Sequence, residues 1–402
     1  MDKIKVLHIV TRLEAGGSAV NVVASARGLG PRFESALLCG VLESGASREV
    51  RADGARLIAA PHLRRSVNPA ADVMAFCELL SALRKETPDI VHTHTSKAGL
   101  LGRWAAFVHN LGNPRPCAIA HTPHGHVFYG YFGPWQTWLF RMLERWTGRI
   151  TGRLIALSQG ELQESLAAGV GRPEQWTIIP SGVDLPSEAE LARIMAAGRG
   201  IRSRLNLAED GLAIGTVARL EPVKGVEYLV RATPALAAEF SRAKFVIVGD
   251  GSERPRLTRL ADELGVADRI VFAGHQDDAL AWMSALDIFV QPSLNEGLGR
   301  TLIEAGFLGI PAVASAVCGI SDVVLEGRTG YLVAPHDATQ LAQAVRRLAG
   351  DRRLRQGFGA AAKAHVLCPD TNGLPRFSEA AMLRKLEQLY ISLVKDSRHD
   401  DR

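Results

Sequence analysis

The chain has little that would tie it to the outside of a cell. Its 402 residues hold five cysteines, Cys39, Cys77, Cys117, Cys318 and Cys368, scattered and odd in number, with no CxxC pair. Neither a disulfide framework nor a zinc module is expected from them. No run of about 18 apolar residues occurs, so no membrane-spanning helix is expected. The apolar stretch Ile4 to Val10 is too short for a secretory leader and leads straight into Thr11-Arg12, which points to the cytosol. Arginine-rich tracts and RNP-like aromatic runs are also missing, which argues against nucleic acid as a partner. A Ser-His-Asp order and a Walker loop are absent as well.

What is present suits two ordinary domains: 402 residues, 47% of them hydrophobic, can bury two sizeable cores. The net charge is +5, and the first 180 residues carry roughly +6, leaving the remainder near neutral. A basic first half suits an anionic membrane surface or a diphosphate-bearing ligand.

Short β-branched runs alternate with amphipathic helical patterns. Strands are expected at Ile4 to Val10, Ser35 to Cys39, Arg56 to Ala59, Asp89 to Thr93, Cys117 to His121 and Leu154 to Leu157. The rhythm restarts at Ala213 to Ala218, Lys244 to Val248, Arg269 to Phe272, Asp287 to Gln291, Pro311 to Ala314 and Gly330 to Val333. This is an α/β pattern of two Rossmann-like, doubly wound domains. Residues 1–180 form the first domain, 181–211 a connection with one helix, and 212–375 the second domain. Residues 376–395 carry Met382, Leu383, Leu386, Leu389, Tyr390 and Leu393 at helical spacing and are expected to pack back on the first domain. The charged tail 396–402 reads as disordered.

The segment PSLNEGLGRTLIEAGFLG follows an expected strand and passes through a glycine-containing loop into a helix near Gly299. Ligands sit at that end of a strand in open α/β sheets. Glu296 falls on the loop and Glu304 just over one turn inside the helix, and the free N–H groups of the helix start suit anionic oxygens or hydroxyls. Arg219 and Lys224, in VARLEPVKG, follow another strand of the same domain. Gly16 and Gly17, in EAGGS, follow the first strand and permit close backbone approach. His124 follows a first-domain strand in HTPHGH, which also contains His121 and His126.

Glu296 and Glu304, separated by seven residues, together with Arg219, Lys224, the glycine loop and His124, resemble the motifs of retaining GT-B glycosyltransferases, in particular glycosyltransferase family 4. The resemblance implies two domains facing an interdomain cleft. Arg219 and Lys224 would stabilise the departing diphosphate, and Glu304 would hold the ribose hydroxyls. Glu296 and the backbone of Gly297, Leu298 and Gly299 would hold the transferred sugar, and His124 would contact the donor. Gly249, in VGDGSE, would line the donor pocket and Phe272 to Gln276 would contact the base. VGDGSE lacks the third glycine of a dinucleotide fingerprint.

The implied co-substrate is a nucleotide diphosphate sugar, UDP in preference to GDP, with no further cofactor. Asp277-Asp278 lacks the D-x-D spacing of metal-dependent transferases, so no divalent metal is expected. VHTHTSKAGLLGR, with Ser96 and Lys97 as candidate acceptor contacts, is similar to bacterial enzymes that assemble surface polysaccharides, which implies a lipid-linked saccharide acceptor. Residues 134–153 set Trp135, Trp138 and Trp146 among Arg141, Arg145, Arg149 and Arg153. Two readings remain open for this helix, core tryptophans behind a solvated arginine face or peripheral contact with the inner face of the plasma membrane. A sugar nucleotide epimerase and a non-catalytic scaffold that binds a nucleotide sugar are the rival functions.

Overall fold

A computed structural model describes residues 3–14, 16–40, 54–125, 133–207 and 211–399. The chain divides into two units, Met1–Gly182 with Glu379–Arg402, and Val183–Ser378.

The first unit is built on seven parallel strands: β1 (Ile4–Val10), β2 (Phe33–Cys39), β3 (Arg56–Ala59), β4 (Ile90–His94), β5 (Ala118–Thr122), β6 (Arg153–Ala156) and β7 (Trp176–Ile178). Their order is β3-β2-β1-β4-β5-β6-β7, so the direction of winding reverses between β1 and β4. One face of the sheet packs Leu7, Ile9 and Val91 against Leu79, Leu83 and Ala98 of helices Pro69–Glu86 and Ser96–Asn110. The other face packs Val6, Ile90 and Ala120 against Met382, Leu386, Tyr390 and Leu393 of the helix Glu379–His399. That helix belongs to the first unit and continues to His399, past residue 395, where the sequence pattern loses its apolar stripe. Residues 400–402 of the expected disordered tail lie outside the described residues.

The second unit holds six parallel strands: β8 (Ala213–Val217), β9 (Lys244–Val248), β10 (Ile270–Gly274), β11 (Ile288–Gln291), β12 (Ala312–Ser315) and β13 (Gly330–Val333). Their order is β10-β9-β8-β11-β12-β13, with the reversal between β8 and β11. Most of the stretch read as a connection lies within this unit. Ser187 and Glu190 cap its helix Glu188–Arg204 reciprocally, and Ile201 packs on Ala281 and Ala285. Arg202 fastens the end of that helix to the sheet, donating to Asp287 Oδ2 at 2.7 Å and to the carbonyls of Ala285 and Gly211.

Candidate functional site

The winding reversal in the second unit leaves the loops after β8 and β11 side by side, with no crossover between them to fill the gap. The loop after β8 makes a short turn, Pro222–Lys224, that ends on Gly225 in the left-handed region at φ 59°. A Cβ on Gly225 would stand 2.1 Å from the Pro292 carbonyl oxygen, so only glycine allows the two loops to meet here. Leu294 N–H then donates to the Val223 carbonyl at 2.8 Å, joining the loops backbone to backbone. The join places Lys224 Nζ 2.6 Å from Glu296 Oε2, an ion pair between residues 72 positions apart. Ser293 Oγ donates to the same carboxylate oxygen at 3.2 Å. Both partners are partly buried, with side chains 21% and 16% exposed, so the pair keeps some contact with solvent while its field is screened less than on an open surface.

Gly299 caps the helix Arg300–Phe307 in the left-handed conformation, φ 79°. Leu298, 2% exposed, anchors the preceding loop, and Thr301 Oγ1 donates to Gln291 Oε1 at 2.8 Å to fix the helix start on β11. Gly297 is buried in the same loop. Glu304 lies one turn further on, partly buried, and burial raises its carboxyl pKa above the ordinary value while Arg300 pulls it down. Arg300, one helix turn earlier, is the charged neighbour that acts on it.

Arg219 stands at the end of β8, in the segment that leads into the Lys224 turn. Gly249, at φ 130°, serves close packing first: a Cβ there would lie 1.9 Å from the Ala218 carbonyl oxygen, so the loop after β9 presses on the loop that carries Arg219. Arg254 lies over the Phe272 ring, 4.8 Å from its centroid, beside the Phe272 to Gln276 segment. The structure thus brings Lys224 into contact with Glu296 and puts Arg219 and Glu304 on the two flanking elements of the same switch point.

In the first unit, Gly16 immediately precedes the helix Gly17–Arg27, the next helix after β1, in extended backbone. His124 follows β5 with φ 60°, an uncommon conformation for a residue with a side chain. Glu161, fully buried, holds that turn by accepting from Gly125 N–H at 2.7 Å, and it also accepts from Leu157 N–H. His126 lies outside the described residues. His121 faces away from His124, into the sheet face under the Ser96–Asn110 helix, where a Cβ on Gly99 would stand 2.4 Å from its ring. Lys97 is paired with Asp72 at 2.5 Å.

Sequence reasoning missed a buried histidine cluster. Alternation along the strands puts His8 of β1 and His92 and His94 of β4 on one sheet face. Their nitrogen atoms lie within 4.8 Å of one another. Hydrogen bonds engage most of them: His92 Nδ1 lies 2.6 Å from the Tyr390 hydroxyl and His92 Nε2 2.8 Å from Thr122 Oγ1. His94 Nε2 lies 3.0 Å from His8 Nδ1, and His94 Nδ1 3.0 Å from His124 Nε2. A cation bound there would break several of these bonds. The signal was present in VHTHT, since residues at i and i+2 share a strand face.

The helix Pro134–Gly148 buries only Thr147 and Gly148. Trp135 and Trp138 stack with centroids 5.3 Å apart and are 67% and 52% exposed, and Trp146 is 60% exposed. These tryptophans are therefore not core residues. Arg145 donates to the Ala168 carbonyl, and Glu144 pairs at 2.7 Å with Arg103, whose side chain is fully buried. Among the described residues, no helix is long and apolar enough to cross a membrane.

Two family models match the chain, "Glycosyl transferase 4-like domain" over residues 4–182 and "Glycosyl transferases group 1" over residues 199–365. A UDP-Gal:alpha-D-GlcNAc-diphosphoundecaprenol alpha-1,3-galactosyltransferase of Escherichia coli is 29% identical over 357 residues, 88% of this chain and 90% of the relative. A D-inositol 3-phosphate glycosyltransferase of Actinosynnema mirum is 32% identical over 299 residues, 69% of this chain and 68% of the relative. The crystal structure of Anabaena HepE in complex with UDP-glucose superposes with a TM-score of 0.76 at 20% identity, covering 97% of this chain and all of that one. Two parallel-sheet units in the order of the GT-B fold, each matched by its own model, give one conclusion: the chain belongs to the group 1 glycosyltransferases, glycosyltransferase family 4.

Proposed function

We propose that the protein transfers a sugar, with retention of anomeric configuration, from a nucleotide diphosphate sugar to a lipid-linked saccharide during assembly of a bacterial surface polysaccharide. The observation that carries this reading is the Lys224–Glu296 pair at the switch point, with Glu304 one helix turn away. A nucleotide diphosphate brings negative charge to Arg219 and Lys224, and its departure concentrates that charge further. Fixed cations in a partly desolvated site stabilise such a leaving group best. Lys224 then exchanges Glu296 for phosphate oxygens, which leaves the Glu296 carboxylate to accept from sugar hydroxyls. Glu304 accepts from the ribose hydroxyls. The departing phosphate itself takes the acceptor proton on the front face, and the chemistry needs no divalent metal.

UDP is the preferred nucleotide, since HepE was solved with UDP-glucose and the Escherichia coli relative is named for UDP-Gal. A diphosphate-linked lipid acceptor is supported by the diphosphoundecaprenol in that relative's name. The exposed Trp135, Trp138 and Trp146, with Arg141 and Arg149 on the same helix and its end, suit peripheral contact with an anionic membrane.

A thermal-shift panel of UDP- and GDP-sugars tests the donor, because a ligand that binds the native state alone raises the melting temperature. Turnover with the stabilising donor then tests the mechanism: Lys224→Ala should lose roughly a hundredfold or more in kcat, the scale of losing one preorganised donor. Wild-type kcat in that variant removes Lys224 from the reaction. Slow hydrolysis of the bound donor separates an enzyme from a scaffold, and conversion of the donor to a second sugar without an acceptor marks an epimerase.

A further inference from the structure

Three imidazoles form a line in the first unit. His8 Nδ1 meets His94 Nε2 at 3.0 Å, and His94 Nδ1 meets His124 Nε2 at 3.0 Å. His8 and His94 are at most 1% exposed, and desolvation lowers the His8 pKa to about 3 and that of His94 well below its usual value. Both rings are therefore neutral at neutral pH, and a neutral imidazole carries one N–H donor and one bare acceptor nitrogen. His94 engages both its nitrogens along the line, so accepting at one obliges it to donate from the other. The line is thus directional.

Its far end sets the direction. His8 Nε2 is buried and meets no hydrogen-bond partner among the described residues. An orphaned buried N–H is rarer in proteins than an under-used acceptor, so the His8 proton belongs on Nδ1, where it is donated to His94. His94 then holds its proton on Nδ1 and donates it to His124 Nε2. The geometry points to His8 and His94 as positioning residues that fix His124 as the Nδ1–H tautomer. His92 stands outside the line, held by Tyr390 and Thr122, and packs 4.1 Å from the His94 ring, which limits rotation of that ring.

The consequence is chemical. With Nε2 engaged as an acceptor, the second ring nitrogen of His124 carries the proton, so it can donate but cannot act as a base. Ser-His-Asp enzymes obey the same logic, in which a buried partner matters by selecting the tautomer of the histidine it touches. The tautomer assignment stands on this unit alone, whereas its weight in catalysis rests on the proposed contact of His124 with the sugar donor.

The test is long-range proton–nitrogen NMR on the full chain labelled with nitrogen-15 histidine, at neutral pH. His8, His94 and His124 should all show a protonated Nδ1 and a bare Nε2. A protonated Nε2 on His124 in the wild-type chain overturns the proposal, without any variant having to fold. His8→Leu should give a mixed tautomer at His124, and His8→Asn, whose amide can stand in for the Nδ1–H donor, should restore a single form. An unchanged His124 in His8→Leu also overturns it. Turnover of the donor chosen by thermal shift should fall about tenfold in His8→Leu with the Kd for UDP unchanged, and recover in His8→Asn. A shifted tautomer with unchanged turnover refutes the positioning role. Failure of every nucleotide sugar to stabilise the chain would instead refute the donor-site reading and leave the NMR result standing.

Discussion

Acid should unfold the first unit earlier than the second, and the size of the effect follows from four side chains. His8, His92, His94 and His121 are each at most 1% exposed, and burial lowers all four pKa values; neighbouring imidazoles add to this at His92 and His94, and Arg103 at His121. In the unfolded chain each titrates near the ordinary value of about 6.5. Between that value and the depressed folded one, the unfolded state binds more protons than the native state. Stability therefore rises with pH across this window and falls as pH drops through it. Lowering the pH from about 7.5 to about 5.5 forfeits roughly 1 to 1.5 kcal/mol per group, or about 5 kcal/mol for the four together. That is comparable with the whole stability of a small domain, about 5–15 kcal/mol. The measurement is urea unfolding at the two pH values, followed by hydrogen exchange of peptides from β1 and β4 and, as an internal control, from β8 and β11. The second unit contains His365, only half buried, whose pKa burial also lowers, so its strands should lose less. A loss below about 1.5 kcal/mol in β1 and β4, or equal losses in the two units, would refute the claim that the four imidazoles are buried neutral.

Glu304→Gln should separate stability from function. Because burial raises its carboxyl pKa, the native state holds the proton more tightly than the unfolded state, and stability falls as pH rises above the ordinary value of 4.5. The glutamine variant should melt higher at neutral pH by scanning calorimetry, yet bind the donor roughly ten- to a hundredfold more weakly; unchanged affinity would exclude Glu304 from the site. Gly249→Ala must place a methyl group 1.9 Å from the Ala218 carbonyl at φ 130°, and should lose at least about 2 kcal/mol in equilibrium denaturation. A neutral result would mean that the two loops are not packed backbone to backbone. Replacing Trp135 and Trp138 by Ala, with Arg141 and Arg149 changed to Glu, should abolish flotation with anionic liposomes. Arg145 is left intact because its bond to the Ala168 carbonyl is structural, and undiminished flotation would sink the membrane contact.

Parallel strands buried on both faces read as continuous apolar runs, which is why twelve of the thirteen strands could be anticipated within a few residues. β7 escaped because it has three residues, Trp176–Ile178, and pairs only with the adjacent edge of β6. The Trp135 helix was legible as a helix but not in its orientation: the same spacing serves a buried or an exposed aromatic face, and only packing decides. Glu296 and Lys224 could be recognised singly from their motifs. Their contact could not, because it depends on Gly225 docking against Pro292.

The histidine line was hidden for a different reason. Strand alternation alone puts His92 and His94 on one face, but the presence of His8 beside them requires β1 to neighbour β4, and strand order is a property of the whole sheet. His8 and His92 are register partners, a pairing of polar residues in the two central strands where apolar side chains would pack without hydrogen-bonding demands. Tyr390, nearly three hundred residues from His92 along the chain, supplies one of the bonds that satisfy the cluster. Such a cluster departs from the apolar rule that makes the rest of the sheet legible, and departures of this kind concentrate where a protein needs a fixed polar geometry. The line ends on His124, and on the reading proposed above the polar side chains buried beneath it serve to fix the tautomer of that ring.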